Sequence, residues 1–381
     1  MRQRFVTPEN KKWWTLGAVS VGLFMIMLDN TVVNVALPSI RSSLGMSIEG
    51  LEWVVAGYAL TFAAFMLVGG KLADFVGRRL IFMIGLAVFT GASLACGLAP
   101  TGGFLIAARV VQGLGGALMN PATLSIITAT FAPRERGKAI GIWAGVSAMA
   151  LAIGPLVGGL LTEHVNWNWI FFINVPVGIA GLVAIPLFID ETRDESADQR
   201  LDVPGLATSA LGLFSLTYAF IEANNYGWTS ARILGALAIS AASLVTFLLL
   251  ERRQRAPMLD LSLFRNRTFS GANASMLFVG LAMFGTFFYV SLYMQNVLGY
   301  SPVQAGASFL PMTILIILIA PRAGALTDRV GSRWLVGAGM TLLAGMLFYY
   351  SRLGASESFW AILPGLLLGG IGMGMTMTPV T

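Results

Sequence analysis

Uninterrupted apolar runs constrain this chain more than any other feature of its sequence. They are roughly 20 residues long, which is the length that a helix needs to cross a ~30 Å hydrocarbon layer. Lipid offers no hydrogen-bond partners to the backbone, so such runs must form helices or closed barrels, and they lack the alternation of barrel strands. Only 11% of the 381 residues are charged, far below the share of about 25% found in soluble domains. The fold class is therefore predicted to be an all-α polytopic membrane protein.

Twelve membrane spans are predicted, in three groups. Residues 1–189 are predicted to form a six-helix N-terminal half, 190–268 a linker with an extra two-helix hairpin, and 269–381 a partial C-terminal half with four helices. The spans lie at 14–37, 51–70, 80–99, 103–130, 139–161, 169–189, 204–222, 231–250, 269–294, 305–326, 334–353 and 359–381.

Basic residues are distributed unevenly between the two membrane faces. With the N-terminus placed in the cytoplasm, twenty Lys and Arg residues fall in cytoplasmic loops and three in exterior loops. This bias predicts a multi-pass protein of the cell membrane with a cytoplasmic N-terminus. The net charge of +6 resides in these short loops, so no nucleic-acid partner is expected. The acidic segment 190–203 is interpreted as a solvated linker.

Two ionisable residues lie deep in predicted spans. Asp29 is in the first span and Arg109 in the fourth, roughly 13 Å and 9 Å below the outer ends of their helices. A charge at mid-membrane costs roughly 2.5–3.5 kcal/mol, so such groups usually face a wet cavity or a partner. The two residues are candidate neighbours, and an Asp that exchanges between an Arg and water could load and release protons. The alternative is a static pair that holds two helices together.

A ten-residue loop motif occurs twice. GKLADFVGRR at 70–79 is repeated as GALTDRVGSR at 324–333, each time between the second and third spans of a half. Glycines allow close helix approach and a turn at positive φ, and acidic and basic groups can pair or contact helix ends. A hinge or latch is predicted, against the alternative of a loop that only anchors the chain. Its candidate residues are Gly70, Asp74, Gly77, Arg78, Arg79, Asp328 and Arg333.

The fifth span contains AIGPLVGG at 152–159. Pro155 removes one backbone hydrogen bond, while Gly154, Gly158 and Gly159 allow a neighbouring helix to pack closely and the helix to bend.

Side chains that could line a pocket for a small molecule are Met25, Asn30, Asn34 and Gln112. The alternative for methionines such as Met25 is simple packing. The single histidine makes a metal site unexpected, and no phosphate-binding glycine loop with its lysine occurs.

These motifs resemble the major facilitator superfamily, and more narrowly its fourteen-helix drug:proton antiporter branch. The resemblance covers essentially the whole chain and rests on five motifs that occur in order: LDNTVVNVALP (28–38), GKLADFVGRR (70–79), RVVQGLGGALMNP (109–121), GPLVGG (154–159) and NWNWIFFINVPVG (166–178). It implies a major-facilitator-type bundle with alternating access, in which two further spans would complete the C-terminal half.

The resemblance also implies roles for individual residues. Asp29 matches the acidic position of the first-helix motif, and Arg109 the arginine linked to proton coupling. The 70–79 loop matches the motif that latches one conformation, and 154–159 matches the fifth-helix motif of antiporters.

The implied function is export of amphipathic or cationic small molecules by a monomer, driven by the proton gradient without a cofactor. An exporter of a metabolite such as a sugar, amino acid or natural product is the alternative on this fold. A membrane receptor or a membrane enzyme is a more distant alternative, because the loops are short and no cluster of catalytic groups is evident.

Overall fold

Long helices form the fold, and the described residues contain no strand. The computed structural model describes residues 10–194, 202–254, 259–354 and 358–380. Within these ranges, helices occupy the twelve predicted spans. They are α1 (Lys11–Leu44), α2 (Ile48–Val76), α3 (Arg78–Gly97), α4 (Gly102–Thr130), α5 (Pro133–His164), α6 (Trp169–Phe172 with Asn174–Phe188), α7 (Val203–Tyr226), α8 (Ala231–Arg253), α9 (Arg267–Asn296), α10 (Pro302–Ser308 with Leu310–Val330), α11 (Ser332–Tyr350) and α12 (Phe359–Val380).

Eleven of these helices are long and apolar enough to cross a membrane, counted over the described residues. The remaining helix, α11, lies where a span is predicted and has 19 residues, but it is not among the eleven. The all-α polytopic fold class is thus confirmed. Several helices extend beyond the predicted spans; α1 is 34 residues long because it continues into the polar segments at both ends.

Turns between the helices follow local capping rules. Ser47, Thr101 and Ser230 each accept a hydrogen bond from a backbone N–H in the first turn of the helix that follows. Gly77 and Gly331 adopt φ values of 139° and 86°, a region that disfavours other residues. Both end a helix at the same position of the repeated loop, as the two copies of the motif predict.

The chain divides into two compact units. The first contains the described residues up to Ile26, Arg41–Ser147 and Phe171–Asp260. In it α4 packs between α2 and α3. A Cβ at Gly113 would overlap the carbonyl oxygen of Tyr58, so the glycine allows α4 to approach α2 closely. The extra hairpin packs against α2, where the Trp53 indole N–H donates to the Glu222 carboxylate at 3.1 Å.

The second unit combines Met27–Ile40 of α1, Ala148–Ile170 and the chain from Leu261 onward. In it α12 packs against both α10 and α11. A Cβ at Gly370 would stand 2.6 Å from the Met312 carbonyl oxygen, so the absence of a side chain allows α12 to approach α10. The core of this unit contains Phe287, Phe309 and Met346. The predicted boundaries at 189 and 268 stay a prediction.

Candidate functional site

Arg109 is held in one position by a buried hydrogen-bond network in the first unit. Its side chain is 1% exposed; Nε donates to the Val54 carbonyl at 3.1 Å and Nη1 to the Gln112 side-chain oxygen at 2.6 Å. The guanidinium lies 4.2 Å from the centre of the Tyr58 ring and 5.7 Å from that of Phe171. A backbone carbonyl, a side-chain amide and two aromatic rings therefore stabilise the buried cation.

Gln112 extends this network from α4 to α3. Its amide nitrogen donates to the Ser93 hydroxyl at 2.9 Å, and that hydroxyl donates to the Phe89 carbonyl at 2.8 Å. The Cys96 thiol also contacts the Gln112 oxygen at 3.6 Å. Both ends of the Gln112 amide are thus engaged within the protein, and the amide orients Arg109. Sequence reasoning missed Ser93, since a lone serine in a span has no distinctive pattern.

Asp29 is buried near the middle of α1, with an exposed fraction of 0%. It belongs to the second unit and Arg109 to the first, and their pairing stays a prediction. Both side chains are buried within the protein. Burial at mid-helix is the environment in which the protonation of a carboxyl group responds most strongly to water and to nearby charge.

The four candidate pocket residues differ in exposure. Met25, Asn34 and Gln112 are buried, whereas Asn30 is half-buried. The Asn34 amide donates to the Asn30 carbonyl at 3.0 Å within α1. A role for these residues in binding a small molecule stays a prediction.

The glycines of the fifth-span motif bring α5 against α1 and α10 in the second unit. A Cβ at Gly158 would stand 2.6 Å from the Val32 carbonyl oxygen of α1. Likewise, a Cβ at Gly154 would overlap the Thr31 hydroxyl, and one at Gly159 would overlap the Pro302 carbonyl of α10. The predicted close packing is therefore present, with Pro155 inside the continuous helix.

In the 70–79 loop, the close helix approach occurs one residue before the predicted position. A Cβ at Gly70 would meet Pro121 at an ordinary 3.5 Å, whereas one at Gly69 would overlap the Ala117 carbonyl oxygen of α4. Pro121 has no N–H to donate to that carbonyl, so the oxygen is available to contact α2. The prediction for Gly70 is wrong in this respect, and Gly69 takes that role.

The charged residues of this loop form two ion pairs. The Arg78 guanidinium donates to the Asp74 carboxylate at 3.1 Å, one helical turn away. The Arg79 Nε lies 3.7 Å from the carboxylate of Glu191, which follows α6. In the second copy of the motif Arg333 is exposed near the start of α11, and the side chain of Asp328 lies outside the described residues. A hinge or latch between the two halves stays a prediction.

The segment after α6 is hydrogen-bonded to the loop rather than only solvated. The Glu191 carboxylate accepts the backbone N–H groups of Arg79 and Leu80 at 3.0 and 3.1 Å. In addition, Arg78 N–H donates to the Thr192 carbonyl at 2.9 Å, and Asp194 N–H to the Asp74 carbonyl at 2.7 Å. A carboxylate at the N-terminus of α3 satisfies free N–H groups and complements the helix dipole. Residues of this segment are therefore attached to the loop although Glu191, Arg193 and Asp194 are exposed, and the interpretation of 190–203 as a solvated linker stays a prediction.

Replacing Glu191 with Ala is expected to lower the free energy of unfolding by about 1 kcal/mol, because two N–H groups of α3 lose their acceptor. Asp190→Ala is the matched control. Asp190 pairs only with Lys11 among the described side chains and is 76% exposed, so its loss should change stability by less than about 0.5 kcal/mol. Thermal unfolding of the purified variants measures both, and equal effects would contradict the capping role of Glu191.

Comparison with known proteins agrees with this architecture. The sequence profile of the Major Facilitator Superfamily matches residues 19–381. A crystal structure of a bacterial homologue of the human lysosomal transporter Spinster has the same fold, with a TM-score of 0.65 and 20% identity over 97% of this chain and 74% of that chain.

Curated relatives are more similar in sequence. The tetracenomycin C resistance and export protein of Streptomyces glaucescens is 38% identical over 97% of this chain and 69% of its own length. The multidrug resistance protein Stp of Mycobacterium tuberculosis is 38% identical over 96% of this chain and 68% of its own length. The puromycin resistance protein pur8 of Streptomyces alboniger is 37% identical over 98% of this chain and 75% of its own length. With its multi-pass helical fold and a profile match over nearly its whole length, the chain belongs to the major facilitator superfamily.

Proposed function

We propose that this protein exports amphipathic or cationic drug-like compounds across the cell membrane in exchange for protons. The observation that carries the proposal is the fully buried Asp29 in the middle of α1. Relatives that share more than a third of its residues are named for resistance to, or export of, antibiotics. A membrane transporter of this family with a titratable group at mid-helix has the parts that proton-driven export requires.

The chemical basis is competition for one carboxyl group. Carboxyl groups in general favour the neutral form where water is absent, whereas water or a bound cation favours the carboxylate. If access to Asp29 alternates between the two membrane faces, a proton can enter from outside and a cation can leave to the outside. Arg109 is a positive charge whose position is fixed, because its side chain is hydrogen-bonded to Val54 and Gln112.

The remaining features of the proposal concern orientation and energy source. The excess of basic residues in one set of loops supports a cytoplasmic N-terminus. The proton gradient supplies the energy, the transporter works as a monomer in the bilayer, and no bound cofactor takes part.

A transport assay in proteoliposomes tests this function. Puromycin, tetracenomycin C and the fluorescent cation ethidium would be offered with and without an imposed proton gradient. We expect at least one compound to accumulate against its concentration gradient only when protons can flow in the opposite direction. Accumulation that is unchanged by a protonophore would contradict proton exchange, and failure to move any compound while a sugar or amino acid is transported would favour the metabolite exporter.

A further inference from the structure

Two polar side chains of α9 bind the backbone of α1 within the second unit. The Ser291 hydroxyl donates to the Asn34 carbonyl at 3.1 Å, and the Gln295 amide nitrogen donates to the Val35 carbonyl at 2.9 Å. The same amide nitrogen lies 3.1 Å from the Ser291 hydroxyl, so the two side chains form one connected group. Ser291 is completely buried. These residues are one helical turn apart on α9 and act on consecutive peptide units of α1.

The position of the Ser291 bond follows from a proline in α1. In a helix the N–H of residue 38 would donate to the carbonyl of Asn34, but Pro38 has no N–H. The Asn34 carbonyl therefore lacks its helical donor in a region where an unsatisfied backbone group is costly. Ser291 donates to this carbonyl. Ser291 of α9 thus supplies the hydrogen bond that Pro38 of α1 cannot donate.

We propose that Ser291 and Gln295 form a gate clasp, which holds the Asn34–Val35 backbone of α1 closed against α9 and excludes water from this part of α1. The clasp is suited to opening, because the Asn34 carbonyl can accept a hydrogen bond from water once α9 moves away. Each bond also contributes only a modest net free energy, so the closed state is favoured without being permanent.

The clasp also lies close to Asp29. Asn34 follows Asp29 by five residues, which corresponds to about 7.5 Å along the helix axis. Water that enters when the clasp opens would reach the α1 segment that carries this carboxyl group. Because alternating access is part of the proposed function, the role of the clasp during transport rests on that function. The closed contact itself does not depend on which compound is transported.

Thiol labelling tests the clasp without any transport measurement. The native Cys96 would be replaced by Ser, and a single cysteine would be introduced at Ala36, a fully buried residue next to the clasped backbone. A membrane-impermeant methanethiosulfonate reagent would report water access to this position in membranes. Ser291→Ala and Gln295→Leu are each expected to raise the labelling rate about fivefold, the effect of losing one hydrogen bond from the closed state.

Matched controls come from the same helix. Ser275 and Asn273 donate only to carbonyls of α9 itself, at Gly271 and Phe269. Ser275→Ala and Asn273→Ala should therefore leave the labelling rate within about twofold of the parent protein, since among the described residues each side chain donates to a carbonyl of its own helix. An equal increase in these controls would show that general loosening, not the clasp, determines access.

A double-mutant experiment tests the role of Pro38. Pro38→Ala restores the N–H that can donate to the Asn34 carbonyl, so Ser291 becomes redundant. In that background, Ser291→Ala should change labelling by less than about twofold. An effect of Ser291→Ala that is equally large in both backgrounds would overturn the proline–serine pairing. Unchanged labelling in both Ser291→Ala and Gln295→Leu would overturn the clasp as a whole. A failure to transport puromycin or ethidium would leave these labelling results unaffected, so it would count only against the proposed function.

Discussion

Asp29→Asn is expected to abolish export driven by a pH gradient while the protein still inserts into the membrane. The amide has nearly the same size as the carboxyl group but cannot bind or release a proton. Asp29 is completely buried, and asparagine keeps the size of its side chain, so insertion into the membrane is expected to be retained. Export against a concentration gradient should fall by about tenfold or more, because coupling is lost when the titrating group is removed.

The matched control for this prediction is Asp190→Asn, at a carboxyl group on the protein surface that is 76% exposed. Its export activity should stay close to that of the parent protein. Transport in proteoliposomes, normalised to the amount of inserted protein, measures both variants. Export by Asp29→Asn at the parental rate under the same pH gradient would remove Asp29 from the coupling mechanism.

Gly158→Ala is expected to destabilise the second unit strongly. The new Cβ would stand 2.6 Å from the Val32 carbonyl oxygen and 3.1 Å from the Val32 Cα, so the backbone of α1 or α5 would have to move. Overpacking of this kind typically costs about 1–3 kcal/mol. The backbone shift at Val32 should also displace the neighbouring part of α1, which carries Asp29. Both stability and transport should therefore decrease.

Gly145→Ala provides the comparison within the same helix. A Cβ at Gly145 meets nothing within 4 Å, and alanine is the better helix former. This variant should be as stable as the parent protein or slightly more stable. Thermal unfolding of the purified variants, followed by tryptophan fluorescence, separates the two cases. Equal unfolding temperatures for Gly158→Ala and the parent would show that α1 does not contact α5 as closely as described.

The sequence predicted those features that local physical chemistry determines. Membrane spans follow from the length of apolar runs, and the turns at Gly77 and Gly331 follow from the backbone conformation that only glycine adopts easily. The burial of Asp29 and Arg109 agrees with their position inside such runs, because a charge that faces lipid is costly. In each case the cause lies within one helix or one turn.

Contacts between distant segments could not be predicted in the same way. Glu191 caps α3 although it follows α6, 112 residues away from Arg79. Ser291 donates to a carbonyl 257 residues earlier in the chain. Hydropathy shows which segments cross the membrane but not which faces of them meet, so such partners are visible only after the helices are packed. The shift from Gly70 to Gly69 has the same cause, since the rotation of α2 against α4 decides which glycine faces the Ala117 carbonyl.

Proton release on binding tests the central claim most directly. The purified protein would be mixed, in weakly buffered solution with a pH-sensitive dye, with a cationic compound that the proteoliposome assay identifies as transported. If Asp29 binds either a proton or the cation, the parent protein should release protons on binding and Asp29→Asn should release none. Equal proton release from both proteins, or binding to the parent protein without any release, would contradict exchange at Asp29.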